Sequence, residues 1–103
     1  MNYKKLIPSF GCKDGSVVVW DQGWNQQKGD ITSVCRHCAD NGADALLLWD
    51  LSDTDEDHEQ SILMIKEAAR SVDIPVMAGG KIKRLEDIKK YLYAGAGAVF
   101  LDG

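Results

Sequence analysis

The sequence predicts an α/β fold built as a parallel (βα)4 half-barrel, and three observations predict it. Segments of strand and helix character alternate along the chain, and helical crossovers are what parallel strands require. The runs Ala45-Leu46-Leu47-Leu48-Trp49 and Ala98-Val99-Phe100-Leu101 are continuously apolar rather than alternating, as in strands covered on both faces. Third, Gly42-Ala43-Asp44-Ala45-Leu46-Leu47-Leu48-Trp49-Asp50 is echoed 53 residues later by Gly95-Ala96-Gly97-Ala98-Val99-Phe100-Leu101-Asp102. Any helix-to-strand junction favours similar residues, so the echo supports a repeated unit without requiring one. A full barrel takes about 250 residues; 103 residues hold four strand–helix units.

Each element has a local reason. Lys5 to Phe10 reads as the first strand, closed by Gly11. Lys13-Asp14-Gly15 is a turn signal, and Ser16 to Trp20 an extended return. Asp21 to Gly29 is polar with two glycines and reads as a mobile loop. Asp30 is the expected N-cap of a helix over Ile31 to Asn41, with Gly42 as its stop. The second strand is Ala45 to Trp49. The second helix spans Asp55 to Val72, with Ser52, Thr54 or Asp55 as its cap. Ile74 to Ala78 is the third strand, followed by Gly79-Gly80. Leu85 to Ala94 is the third helix, stopped by Gly95, and Ala98 to Leu101 the fourth strand.

Composition bounds the partners. Hydrophobic residues make up 45% and charged residues 27%, ordinary for a chain with a packed core. A net charge of −4 disfavours nucleic acid and anionic membrane. No apolar run approaches the roughly 20 residues of a membrane-spanning helix, and Met1 to Lys5 lacks a signal-peptide core. Three cysteines, an odd number, argue against a disulfide scaffold and for a reducing cytoplasmic setting. No cofactor or metal is expected.

With these residues in place, the chain resembles the N-terminal half of the (βα)8, TIM-barrel-like enzymes of histidine biosynthesis. These are the phosphoribosylformimino-aminoimidazole-carboxamide ribotide isomerase and the cyclase subunit of imidazole glycerol phosphate synthase. The resemblance rests on Ile7-Pro8 leading to Lys13-Asp14-Gly15-Ser16-Val17-Val18, then Gly29-Asp30, and Gly42-Ala43-Asp44 to Trp49-Asp50. Ile74-Pro75-Val76-Met77-Ala78-Gly79-Gly80-Lys81-Ile82 and Ala94-Gly95-Ala96 to Asp102 complete it. It implies one catalytic carboxylate at the end of the first strand and a second after the fifth. The first position falls on Gly11, which has no side chain, and the second lies beyond Gly103. The second-strand acid survives as Asp50, the candidate catalytic residue. The resemblance also implies a phosphate site after the third strand, here Gly79, Gly80 and Lys81 where a third glycine is usual. Fusion ahead of phosphoribosyl-AMP cyclohydrolase and phosphoribosyl-ATP pyrophosphatase modules is an arrangement the resemblance allows.

Other patterns have structural readings. Cys35-Arg36-His37-Cys38 has the spacing of redox and zinc sites but lacks a second pair. Ile31, Val34, Cys35, Cys38 and Ala39 share helical spacing, so both thiols are expected to face the core. Asp53 to Glu59 begins like a calcium loop. His58 stands where that loop needs glycine, and Met64 where it needs a bidentate glutamate. Acids before a helix complement its dipole instead, and His58 is given no chemical role. Lys81, Lys83, Arg84, Lys89 and Lys90 form a basic region around the third helix; most of it reads as a solvated face, with Lys81 and Lys83 kept as anion candidates. Trp49 is expected to pack, and Trp20 and Trp24 to cap a loop or meet a partner.

Four parallel strands cannot close a barrel. The first and fourth strands should expose backbone edges. The barrel-interior face, assigned to Ile7, Leu46, Leu48, Val76 and Val99, should seek cover. The expectation is a single domain over residues 1–103, part of a longer natural chain, acting as a homodimer or docked on another domain. The first functional reading is a non-catalytic half-barrel with an assembly or regulatory role in histidine biosynthesis. The alternatives are an isomerase or lyase on a phosphorylated ribotide, using Asp50 with Asp14 or Asp102, and a module binding a phosphorylated small molecule.

Overall fold

The computed structural model describes residues 5–26, 29–80 and 85–101. The elements run β1 (Ser9–Lys13), β2 (Ser16–Trp20), β3 (Trp24–Gln26), α1 (Ile31–Asp40), β4 (Leu46–Asp50), α2 (Asp55–Ser71), β5 (Val76–Gly80), α3 (Leu85–Ala94) and β6 (Ala98–Leu101). They build one sheet in the order β3-β2-β1-β4-β5-β6. β1, β4, β5 and β6 are parallel neighbours, and β1, β2 and β3 form an antiparallel meander. The parallel strand–helix repeat of a partial TIM-type barrel is therefore present, as the sequence predicts.

The helix boundaries follow their caps. Asp30 Oδ1 accepts from Ser33 N–H at 2.8 Å, starting α1. Gly42, at φ 93°, turns the chain out of it. Thr54 is the cap that α2 uses, its Oγ1 accepting from Asp57 N–H at 3.1 Å. Gly95, at φ 112°, ends α3. Such left-handed stops suit glycine, which has no Cβ to clash.

Three assignments are corrected. The first strand is Ser9–Lys13, not Lys5 to Phe10. Residues 5–8 still run beside β4, since Asp44 N–H donates to Leu6 O and Leu47 N–H to Pro8 O. Pro8 faces β4 without an N–H to return, so the ladder is incomplete there. The expected loop at 21–29 contains β3, which pairs with β2 through Val18↔Gln26, Val19↔Asn25 and Trp20↔Trp24. The third parallel strand is likewise shifted, so that Gly79 and Gly80 lie inside β5.

The core lies between one face of the sheet and the helices. It gathers Cys12, Val17, Leu46, Leu48, Val76 and Ala78 from the sheet. Ile31 and Cys35 of α1, Met64, Ile65 and Ala68 of α2, and Tyr91 and Ala94 of α3 meet them. The interior-lining assignment is thereby corrected. Leu46, Leu48 and Val76 are buried against the helices, and Val99 packs against that same core. Side chains alternate along a strand, and in β4 the burial alternates with them. The opposite, uncovered face therefore carries Ile7, Ser9, Gly11, Leu47, Trp49, Met77, Gly79, Ala98 and Phe100.

The thiols follow the core reading. All three cysteines are free; Cys12 and Cys35 are buried and Cys38 is half-buried. Burial pushes the Cys12 thiol up to about 12, with the Asp50 carboxylate adding to it, and burial pushes Cys35 up to about 12 as well. Since thiolates are the reacting species, at most one thiol, Cys38, is expected to react quickly with Ellman's reagent at pH 8. The other two should appear only after denaturation. Rapid labelling of all three in the native protein would contradict this packing.

Candidate functional site

Asp50 ends β4, and its side chain turns toward the helices rather than toward the open face. Three donors meet it. Tyr91 O–H of α3 donates to Oδ2 at 2.7 Å, and His58 Nδ1 of α2 lies 2.5 Å from the same oxygen. Ser52 N–H donates to Oδ1 at 3.0 Å. A carboxylate can only accept, which places the His58 proton on Nδ1. Burial works against ionisation, but the Ser52, Tyr91 and His58 hydrogen bonds outweigh it and hold the carboxyl below the usual range. Burial, reinforced by the Asp50 hydrogen bond and charge, raises the Tyr91 hydroxyl well above its ordinary value.

Around this centre lie two further buried acids. Asp87 of α3 has Oδ1 3.4 Å from His58 Nε2, within ion-pair range but without a hydrogen bond from that nitrogen. Tyr91 packs edge-on to the imidazole, with centroids 5.8 Å apart. Asp57 accepts from Asp14 N–H at 2.9 Å, tying the β1–β2 turn to α2, and its Oδ2 is buried without a partner. Lys13 Nζ reaches Asp53 Oδ2 at 2.6 Å across an exposed stretch of the same end. Cross-links from β4, α2, α3 and the hairpin thus converge at the C-terminal ends of the strands, where barrels of this type place their chemistry. No group of three metal-ligating side chains occurs among the described residues.

The opposite face is different in kind. One row crosses the sheet as Val18, Gly11, Trp49, Gly79 and Phe100. A Cβ built on Gly79 would lie 2.6 Å from Trp49 Cζ3 and 2.7 Å from Cε3, so the indole rests on the glycine backbone. Gly80 is equally constrained: its Cβ would lie 2.8 Å from the Asp50 carbonyl oxygen, and its φ is 152°. Both glycines therefore have packing reasons to be glycine. Lys81, the third phosphate candidate, and Lys83 and Asp102 lie outside the described residues.

Sequence reasoning placed Asp50 correctly at a strand end, but it overlooked Tyr91 and Asp87 and gave His58 no role. The spacing of Asp87 and Tyr91, four apart on the apolar stripe of α3, was the available signal. Their approach to Asp50 spans 41 residues of chain for Tyr91, which no local pattern encodes.

Fold and site together define a partial parallel α/β barrel whose strand ends carry a buried acid–imidazole–phenol cluster. A profile of the family described as histidine biosynthesis protein matches residues 5–102, and the chain belongs to that family. Its relatives include the imidazole glycerol phosphate synthase subunit HisF of Exiguobacterium sibiricum, 35% identical over 103 residues, covering 99% of this chain and 41% of the relative. The same subunit of Methanocaldococcus jannaschii is 34% identical over 100 residues, covering 96% and 37%. That of Streptococcus gordonii is 35% identical over 97 residues, covering 93% and 38%. The chain spans about two-fifths of the length of these curated relatives. No helix among the described residues is long and apolar enough to cross a membrane.

Proposed function

We propose that this chain is a non-catalytic half-barrel domain of a cytoplasmic histidine-biosynthesis protein, serving assembly or regulation. The observation that carries the reading is the row on the open face. The family resemblance implies an acid at position 11, and a general acid or base must come within hydrogen-bond reach of the proton it moves. Gly11 offers none, and its neighbours in the row are Val18, Trp49, Gly79 and Phe100. Among the described residues of β1, β4, β5 and β6, the one carboxylate is Asp50, which points to the other side and is engaged by three donors. Its role in this reading is to fix α2 and α3 to the strand ends, not to transfer a proton to a substrate. The domain covers residues 1–103 of a longer chain, and its open face awaits a second copy or another domain.

The competing reading is an isomerase or lyase acting on a phosphorylated ribotide. Incubating the chain with a histidine-pathway ribotide is expected to give no turnover. Turnover that the Asp50→Asn change abolishes would end the non-catalytic reading. A module for phosphorylated small molecules at Gly79, Gly80 and Lys81 is the third reading. Calorimetry with inorganic phosphate and ribose 5-phosphate is expected to show no saturable heat, and a saturable isotherm would favour it.

A further inference from the structure

Apart from the outer edge of β3, the described residues leave the sheet open in three places that share one geometry. The first is the apolar face bearing Leu47, Trp49, Met77 and Phe100, the last 46% exposed. The second is the outer edge of β6. Leu46 N–H donates to Pro75 O, so Pro75, Met77 and Gly79 turn their backbone groups to β4, and Val76, Ala78 and Gly80 turn theirs to β6. Gly97 N–H donates to Val76 O just before β6, and within β6 the register makes Ala98 and Phe100 the residues that answer Ala78 and Gly80, which leaves Val99 and Leu101 pointing outward. The third is the N-terminal part of the β1 edge. Pro8 and Cys12 accept from β4, so Ile7 and Ser9 turn the other way. β2 covers that edge only at Gly11, Cys12 and Lys13. The hairpin thus corrects the expectation of a wholly bare first edge, and it leaves residues 5–9 uncovered, with Leu6 54% and Ile7 40% exposed.

We propose that two copies of this chain pair about a two-fold axis, β6 of each running parallel along residues 5–9 of the other, so that the two open faces close on one interior. This rests on the assembly reading above and names its partner. Register supports it. An eight-stranded parallel barrel has a shear of about eight residues per circuit, hence about four per half-circuit. Across one sheet, Ala98 is level with Ser9 and Leu101 with Cys12. A step of four in one direction would run β6 into the stretch that β2 already occupies. In the other direction it sets Val99 beside Leu6 and Phe100 beside Ile7, on the bare stretch.

The backbone groups also match. Val99 and Leu101 point outward, and at this register they meet Lys5, Ile7 and Ser9, whose N–H and C=O groups face the same edge. Val99 N–H then donates to Lys5 O and its C=O accepts from Ile7 N–H, a regular parallel ladder. A register shifted by one residue would bring non-facing groups together.

Area points the same way. A self-contained folded monomer of 11.3 kDa exposes about 5,700 Å² by the usual mass scaling, whereas this chain exposes 6813 Å². The excess of about 1,100 Å² exceeds the roughly 800 Å² that each partner buries in a standard interface.

Sedimentation velocity of the 103-residue chain at low micromolar concentration is expected to give twice 11.3 kDa. Val99→Pro removes an outward N–H without touching the β5 ladder, and Ile7→Lys puts a charge into the closed interior from a position exposed in the single copy. Each is expected to weaken association at least tenfold while circular dichroism stays native. A folded monomer overturns the pairing, as does a dimer that Ile7→Lys leaves intact. Since Ile7 is exposed in one copy, that variant keeps the test decisive even where Val99→Pro fails to fold. Turnover of a ribotide is a separate measurement, so failure of the pairing and failure of the non-catalytic reading are told apart.

Discussion

Replacing Asp50 with alanine is expected to lower the unfolding free energy by about 3–4 kcal/mol, because it strips the shared acceptor from a buried, partly charged cluster. Tyr91 O–H, His58 Nδ1 and Ser52 N–H all converge on this carboxylate. Removing it leaves each donor in a place water does not reach well. Small domains have only about 5–15 kcal/mol in total, so thermal unfolding should fall by roughly 10–20 °C. Tyr91→Phe, which removes one donor and leaves the others, should cost less, about 1.5–3 kcal/mol.

The same carboxylate predicts an acid limb. Its folded pKa lies below the ordinary value of 3.8, so on acidification the unfolded chain takes up the proton first. Its stabilisation is complete above that ordinary value and is lost as the pH falls through the depressed folded one. Asp50→Asn should flatten this limb in urea titrations below pH 4. An alanine variant as stable as the parent would show that the cluster is incidental to the fold.

Gly80→Ala is the second large effect, expected at about 2–4 kcal/mol. The new methyl would lie 2.8 Å from the Asp50 carbonyl oxygen and 3.1 Å from Asp50 Cβ, at a φ of 152°. Backbone cannot step aside cheaply there without disturbing the Asp50 cluster. Gly79→Ala should cost less, about 1–2 kcal/mol, since its obstacle is the half-buried Trp49 ring. Trp49→Ala should relieve the Gly79→Ala penalty but not the Gly80→Ala penalty, a comparison that a double-mutant cycle reads directly. Equal tolerance of alanine at both positions would leave the anion-binding reason for the glycines as the better one.

Much of the architecture was legible because its signals are local. The helix caps Asp30 and Thr54 sit beside the residues they serve, and the stops at Gly42 and Gly95 need only a left-handed turn. The continuous apolar runs of β4 and β6 announced strands inside a layered fold. The β3 strand was missed because a polar, glycine-bearing stretch carries no strand pattern; its pairing with β2 supplies the order. The interior face was misassigned for a related reason. In a run such as Leu46-Leu47-Leu48 every side chain is apolar, so composition does not say which alternate set meets the helices. The two sets divide by one residue of phase, and the helix layer chose Leu46 and Leu48.

By itself the chain determined the parallel strand–helix repeat, a glycine at position 11 and the presence of an acid at the end of the second repeat unit. These follow from spacing and residue identity, which act over a few neighbours. Only the tertiary structure decided that Asp50 turns away from Gly11, that Tyr91 and His58 satisfy it, and that the hairpin covers half an edge and leaves half bare. Those outcomes depend on contacts between residues tens of positions apart, where the phase of each strand and the packing of each helix select one arrangement from several that the local pattern permits.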